Sequence, residues 1–545
     1  MIRNSYLFWG LEGLAISTSF ALRSRAVAFV RWNPWGRLLL EKICGLWALF
    51  LVIWITQYSL WATTPRNCPS QSLKIPAWLS VLLGRFDPQS WKASIATLGV
   101  NTLFLLAAVD FVYRSSLLHE SRNLSFSRMG HTNASNANIV FRYPAEAKVR
   151  IQYRPQTGAE ASTWLIGPVT SVTSHSDYIG SFLLRNLEPD TKYQYKTNAS
   201  HSGTFRTPSK HPKRWTLVSS SCIKPFYPYN PLDHALSMRG FAHLSRYIEN
   251  TQTDMMLFLG DFIYIDLPRR FGYETKHYQN AYRQIYASPS WTETLRALPW
   301  IHTYDDHEIT NNWDANETGI YHQAISPFIV YQYLGNPEPP KPKVTYHQFS
   351  HGDVSFFLMD TRRYRSPSSD PDGEHKSMLG AEQRKDFEDW IRNAPGWKVV
   401  VTGAPFTRNF RSADNQDTWA GYLWERQRLL NLMWETDGVI ILSGDRHEHA
   451  TTAFPRPGHN DSSVIEFSTS PLNQFLPPAP DYEQIEDTDV GIYFLHAGES
   501  KFGAITFDTS DEKVWRAEFE LIVDGEKKWD YVILQERSKE KKTRN

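Results

Sequence analysis

The chain has 545 residues, with 58 Lys and Arg against 57 Asp and Glu and a formal net charge of +1, so it lacks the basic excess of a general nucleic-acid binder. At ~150 residues per domain, the length allows about three domains. Three cysteines, Cys44, Cys68 and Cys222, are too few for a disulfide framework, and stability must come from packing.

The first predicted element is apolar. The stretch CGLWALFLVIWITQYSLWA, 44–62, carries no charge, and a helix of ~20 apolar residues crosses the hydrocarbon core of a bilayer. A transmembrane helix is therefore predicted over 43–62, with Trp47 and Trp61 suited to the interfaces. A second candidate span covers 93–113, unless that segment forms a hairpin with the apolar IPAWLSVLLG at 75–84. Residues 5–21 are only weakly apolar and hold Glu12. The region 1–117 thus reads as membrane-anchoring. Arg23, Arg25, Arg31, Arg37 and Lys42 precede the first span, so that flank is expected to be cytoplasmic. One span would send the rest of the chain to the lumen or outside, and two would return it to the cytosol.

From 118 to 208 the texture changes to short strand-like runs, ANIVFRY, AKVRIQY and IGSFLLRNL, separated by turn residues. Such spacing predicts a small β-sandwich. A Pro-Asp turn followed by Tyr193 and Tyr195 looks like the tyrosine corner of immunoglobulin and fibronectin-type domains. SKHPKRW, 209–215, reads as a linker. Over 209–535 apolar strands alternate with helical stretches, the pattern of an α/β domain around a buried sheet. The run at 536–545 is a charged tail.

Five of these strands end in polar clusters: SSSC (219–222), GDFIYID (260–266), YDDHEITNNW (304–313), DTRRYRS (360–366) and GDRHEH (444–449). Ligands of open α/β sheets gather at the carboxyl ends of the strands, so five such ends converge on one rim. Carboxylates suit hard cations, whereas thiolate, phenolate and imidazole suit iron, zinc or similar ions. A rim holding both kinds implies at least two metals, which can clamp the attacking and leaving oxygens of a phosphoryl transfer. Guanidinium forks such as those of Arg362, Arg363 and Arg365 match phosphate oxygens. The residues alone therefore point to a binuclear metal hydrolase of phosphate esters.

The order of these motifs resembles that of the calcineurin-like metallophosphoesterases, whose blocks run D-x-H, GDxxD, GNHE, a lone His and GHxH. It is more similar still to the alkaline phosphatase D (PhoD-like) branch. There the first block ends in Cys (Cys222) and the second is GDxxY (Gly260, Asp261, Tyr264). The third is DDHE followed by Asn (Asp305, Asp306, His307, Glu308, Asn312), then D-x-R-x-Y-R (Asp360, Arg362, Tyr364, Arg365) and GDxH (Gly444, Asp445, His447).

The resemblance implies an α/β sandwich of mixed sheets flanked by helices, preceded by an immunoglobulin- or fibronectin-like domain. It implies metal ligation by Cys222, Asp261, Tyr264, Asp306, Asn312, Asp445 and His447, with Asp261 bridging two ions and Cys222 and Tyr264 on a ferric one. The metals would be Fe3+ with Ca2+, zinc or manganese being alternatives. Arg362 or Arg365 would take the phosphate, and His307 or Asp306 would protonate the leaving alkoxide after attack by a metal-activated hydroxide. Phosphomonoesters, phosphodiesters or both are the expected substrates, and the anchor makes lipid phosphoesters candidates. Nucleic-acid recognition is not expected, and the sequence leaves the oligomeric state open.

Two departures stand out: Ser220 replaces the first Asp, and the lone His of the fourth block falls near Gly403, where none is present. His449 or His307 is expected to stand in, with His449 otherwise behind the ligands and Arg446 facing away. The rival readings are a non-catalytic membrane receptor that binds through the sandwich, and a metal hydrolase of a non-phosphate ester.

Overall fold

The computed structural model describes residues 2–32, 36–63, 75–156, 163–411, 414–459, 463–485 and 488–536. Cys68 and residues 537–545 of the charged tail lie outside them. The chain divides into two compact units, one of Met1–His119 with Pro228–Ala235 and Asp266–Arg270, the other of the remaining residues.

The first unit is helical: α1 (Ile2–Trp32), α2 (Gly36–Thr63), α3 (Ala77–Leu83) and α4 (Trp91–Leu118). The predicted spans fall inside α2 and α4, both long and apolar enough to cross a membrane. α4 starts where the Ser90 side chain accepts from the Ala93 amide, and α3 ends at Gly84 in the left-handed region (φ 75°), each supplying a cap for otherwise orphaned backbone groups. The weakly apolar front end forms α1 through its whole length. Glu12, the charge within that stretch, is enclosed and paired with Arg85 at 3.1 Å.

The second unit begins with seven strands: β1 (Phe126–Thr132), β2 (Ala137–Arg142), β3 (Ala147–Pro155), β4 (Leu165–Val172), β5 (Ile179–Leu184), β6 (Lys192–Thr197) and β7 (Ser202–Arg206). They form two antiparallel sheets, ordered β1-β2-β5 and β4-β3-β6-β7, around a core in which Phe141 stacks on Phe182. The Tyr193 hydroxyl accepts from the Glu188 amide at 2.8 Å, a bond from ring to upstream backbone. This sandwich is latched to the rest of its unit by Asp177, whose buried carboxylate meets Arg142 at 3.2 Å, Arg283 at 2.6 Å and the Tyr331 hydroxyl.

Thirteen further strands follow: β8 (Arg214–Ser220), β9 (Met255–Leu259), β10 (Trp300–Thr303), β11 (His347–His351), β12 (Val354–Leu358), β13 (Trp397–Val401), β14 (Val439–Ser443), β15 (His449–Pro455), β16 (Ser463–Thr469), β17 (Val490–Leu495), β18 (Lys501–Asp508), β19 (Val514–Val523) and β20 (Glu526–Glu536). One sheet runs β10-β9-β8-β18-β19-β20 and the other β11-β12-β13-β14-β16-β15-β17. Leu257 and Phe519 of the first share a core with Val399 and Leu442 of the second. Helices cover the outer faces, Arg239–Asn250 and Thr275–Tyr286 contributing to one apolar cluster, Gly380–Asn393 and Leu423–Trp434 to another. Strands covered on both sides need no polar face, which is why MMLFL, WKVVV and VIILS are wholly buried. β8, β9 and β10 run parallel, as do β12, β13, β14 and β16, so the motif-bearing strand ends fall at common edges of the two sheets.

Candidate metal centre

The strand ends meet around Asp261. Its Oδ2 accepts from the Tyr264 hydroxyl at 3.0 Å and lies 3.4 Å from the Cys222 thiol, while its Oδ1 accepts from the His307 amide at 3.2 Å. The Tyr264 hydroxyl also lies 3.0 Å from Nε2 of His447. Oxygens of Asp261, Asp305, Asp306 and Asp445 all fall within 4.8 Å of one another, and Asp261, Asp306 and His307 form a second such group. Asn312, half-buried, donates its backbone N–H to Asp306 Oδ2 at 2.5 Å. All the sequence-predicted ligands are thus at one place.

Backbone conformation brings them there. Cys222, Asp261, Asn312, Asp445 and His447 have φ between 56° and 73°, the left-handed region that costs a non-glycine residue roughly 1–2 kcal/mol. Such strain persists only where the surroundings over-determine it, and it concentrates at functional sites. The fastening is visible. The buried Glu308 carboxylate accepts the amides of Asp261 (2.9 Å), Phe262 (2.6 Å) and Asp305 (2.9 Å), tying the second motif to the third. Gly260 (φ +110°) is needed between them, because a Cβ there would come within 2.5 Å of the Asp305 Cβ. Ser221 Oγ accepts from the Asp445 amide at 3.1 Å, and Ser470 Oγ from the His447 amide at 2.7 Å.

Burying the carboxylates of Asp261, Asp305 and Asp306 together, beside the half-buried Asp445, is costly unless cations share the space. Burial, then Asp306, pushes the Asp261 carboxyl well above the usual range; burial does the same to Asp445, and to the Cys222 thiol and Tyr264 phenol, both also raised by Asp261. Asp305 is raised by burial to about 6, and His447 is lowered by burial, then His307, to about 3. A bound cation reverses the carboxylate, thiol and phenol shifts. Asp305 Oδ2 and Asp306 Oδ1 are buried without a hydrogen-bond donor, as expected of atoms kept for a metal. Hard carboxylate oxygens beside a thiol, a phenol and an imidazole fit one harder and one softer ion.

Several residues sit differently from expectation. Arg362 and Arg365 are fully enclosed rather than open to a phosphate. Arg362 binds Asp305 (2.5 Å) and Asp417 (2.7 Å) and lies 3.8 Å from Asp306; Arg365 is held by Asp417 and the Tyr422 hydroxyl. Asp417, missed in the sequence because its loop carries no motif, is buried, yet the two guanidinium groups hold its carboxyl down at about 2. Arg446 does not face away: its Nε lies 3.1 Å from Asp445 Oδ2 and its Nη1 donates to Asp414. His449 is a core residue whose ring nitrogens reach Thr469 and Thr451 at 2.9 and 3.0 Å and whose ring stacks on Phe519. It is no substitute for the missing fourth-block His. The place of that His is filled by Asp305, since a Cβ on Gly403 would meet Asp305 Oδ1 at 2.8 Å. Ser220, in place of the first Asp, turns to the Lys501 carbonyl at 2.7 Å.

The fold is a pair of packed mixed sheets with a cluster of carboxylate, thiol, phenol and imidazole groups at their common strand ends. Residues 217–519 match the family model described as PhoD-like phosphatase, and the chain belongs to that family. It is 24% identical over 319 residues to alkaline phosphatase D of Bacillus subtilis (strain 168), a match covering 48% of this chain and 52% of that protein, so about half of the curated relative's length is spanned. The fold is similar to that of a solved PhoD structure (TM-score 0.59, 18% identity, 76% of this chain and 91% of that one). It is also similar to the purple acid phosphatase PPD1 from yellow lupin (Lupinus luteus) seeds (TM-score 0.54, 13% identity, 75% and 74%).

Proposed function

We propose that this protein is a membrane-anchored, metal-dependent phosphoesterase acting on phosphomonoesters, phosphodiesters or both. The observation that carries the reading is the Asp261 carboxylate, met by Cys222 and Tyr264 on one oxygen and gathered with the buried carboxylates of Asp305 and Asp306 and the half-buried one of Asp445. Cys222, Asp261, Tyr264, Asp306, Asn312, Asp445 and His447 would hold the ions, iron with calcium, or zinc or manganese in their place. When bound, such ions polarise phosphoryl oxygens and acidify water at the site.

The chain's own groups complete the chemistry. His307, its ring 4.1 Å from that of Tyr264, stands beside the cluster and would protonate the leaving alkoxide. Arg362, enclosed among Asp305, Asp306 and Asp417, fixes the carboxylates rather than touching substrate, and Arg365 holds Asp417 in turn. Arg446 pairs with Asp445 and donates to Asp414, so it too fixes a carboxylate of the cluster. The seven-stranded front domain is read as fibronectin-like, supported by its three-plus-four sheets and the Tyr193 bond.

Membrane anchoring is supported by α2 and α4, whose apolar windows bury only 22% and 28% of their residues, whereas a soluble core helix is mostly buried. Two antiparallel spans with a basic flank before the first would leave the phosphoesterase on the cytosolic face.

The test is the full-length chain purified in detergent, with metal content by mass spectrometry and turnover of chromogenic mono- and diesters. Asp261→Asn is expected to lose metal and turnover together while the far-ultraviolet circular dichroism is kept. A metal-loaded protein inert on both esters across the pH range would overturn the reading.

A further inference from the structure

The helical unit encloses polar side chains beside its apolar core and turns large apolar side chains outward. Glu12, Ser19, Gln57 and Asn101 are buried inside it, while Phe20, Val52, Ile55, Leu103 and Leu106 point outward, Phe20 at 74% exposure against 3% for Glu12. In water the hydrophobic effect drives the opposite arrangement. In hydrocarbon, every polar group must instead be answered from within the protein.

α1 shares this pattern although its hydropathy marks no span. It lies level with α4 along its length: Ser19 Oγ donates to Asn101 Oδ1 at 3.0 Å, and ten residues further along both helices Phe29 meets Phe111 at 5.8 Å between ring centroids. The two helices are therefore parallel and in register over about 15 Å at 1.5 Å per residue. α2 runs the other way beside them, Trp47 Nε1 donating to Thr102 Oγ1 and Trp54 Nε1 to the Ser94 carbonyl, both at 3.2 Å. A helix lying flat on a membrane surface could not keep step with two spans in this way.

Two of the charges on α1, those of Glu12 and Arg23, are answered inside the bundle. Glu12 pairs with Arg85. Arg23 donates through Nε to Asn101 Oδ1 (2.7 Å) and through Nη1 and Nη2 to the carbonyls of Leu82 (2.7 Å) and Val81 (3.0 Å), at the C-terminal end of α3. Those carbonyls are among the ones a helix end leaves without an intrahelical donor. Ionisable side chains within a membrane characteristically face the bundle interior and pair there.

We propose that α1 is a third membrane-embedded helix, crossing beside α2 and α4 with Glu12, Ser19 and Arg23 turned inward, and that lipid hydrocarbon is the partner of the outer apolar belt. The inference rests on the membrane-anchoring reading above. Three crossings place the chain before α1 and the chain after α4 on opposite faces of the bilayer.

The test uses the full chain expressed in membranes, with one epitope ahead of Ile2 and another after Glu536, in sealed vesicles treated with protease and, separately, washed with alkaline carbonate. The expected result is one epitope lost and the other retained, with the chain kept in the carbonate pellet. Both epitopes lost together or protected together, in a chain that stays in the pellet, would overturn the third crossing and leave a two-span anchor. Release of the chain by carbonate would overturn the anchor itself and the third crossing with it.

Discussion

Glu308 separates a ligand from a fastener. It stands in the same DDHE motif as Asp306, an expected ligand, but its buried carboxylate is committed to three backbone amides at 2.6–2.9 Å. Replacing it by Ala leaves three buried N–H groups without acceptors. At ~1–3 kcal/mol for each unsatisfied donor, the loss is about 3–6 kcal/mol after partial relaxation. The Asp261 turn, held at φ 58°, would also relax, so metal content should fall as a consequence. The assay is the denaturant midpoint of the metal-stripped, full-length protein in detergent, alongside metal content after reloading. Asp306→Asn is the contrast. It removes a proposed ligand but keeps an acceptor for the Asn312 amide, so it should lower metal content with the stripped protein within ~1 kcal/mol of the parent. If Glu308→Ala instead lost metal while the stripped protein kept its full stability, the carboxylate would be a ligand and the fastening argument would fail.

Three further outcomes are expected. The Asp417 carboxyl, held by Arg362 and Arg365 at about 2 against an ordinary 3.8, contributes stability that is present above pH ~4 and lost as pH falls through ~2, worth roughly 2 kcal/mol at 1.36 kcal/mol per unit. Asp417→Asn should abolish that acid dependence in unfolding measurements and destabilise the protein by ~3–5 kcal/mol at neutral pH, because two buried guanidinium groups lose their partner. Asp177→Ala, which uncouples Arg142, Arg283 and Tyr331, should cost a similar ~3–5 kcal/mol and expose the junction after the sandwich to limited proteolysis; an unchanged digestion pattern would argue against the latch. Gly403→His, which restores the fourth-block residue on paper, should reduce metal content rather than add a ligand, since even its Cβ meets Asp305 at 2.8 Å; a gain in metal affinity would refute the crowding.

The sequence by itself determined the two apolar helices, the alternation of buried strands and helices, and the motif residues that gather at the site. Each is written locally, as an uncharged run, an unbroken apolar strand, or a polar cluster at a strand's carboxyl end. Only the tertiary structure decided what depends on partners distant in the chain. Arg362 and Arg365 look like phosphate ligands until Asp417, more than 50 positions away, closes over them. His449 looks like a metal ligand until Thr469 and Phe519 enclose it. Gly403 lacks its expected His because Asp305 already occupies that space. α1 reads as too polar for a membrane because hydropathy sums residues without their neighbours. Its Glu12 and Arg23 are costly only when unanswered, and Arg85, Asn101 and the end of α3 answer them.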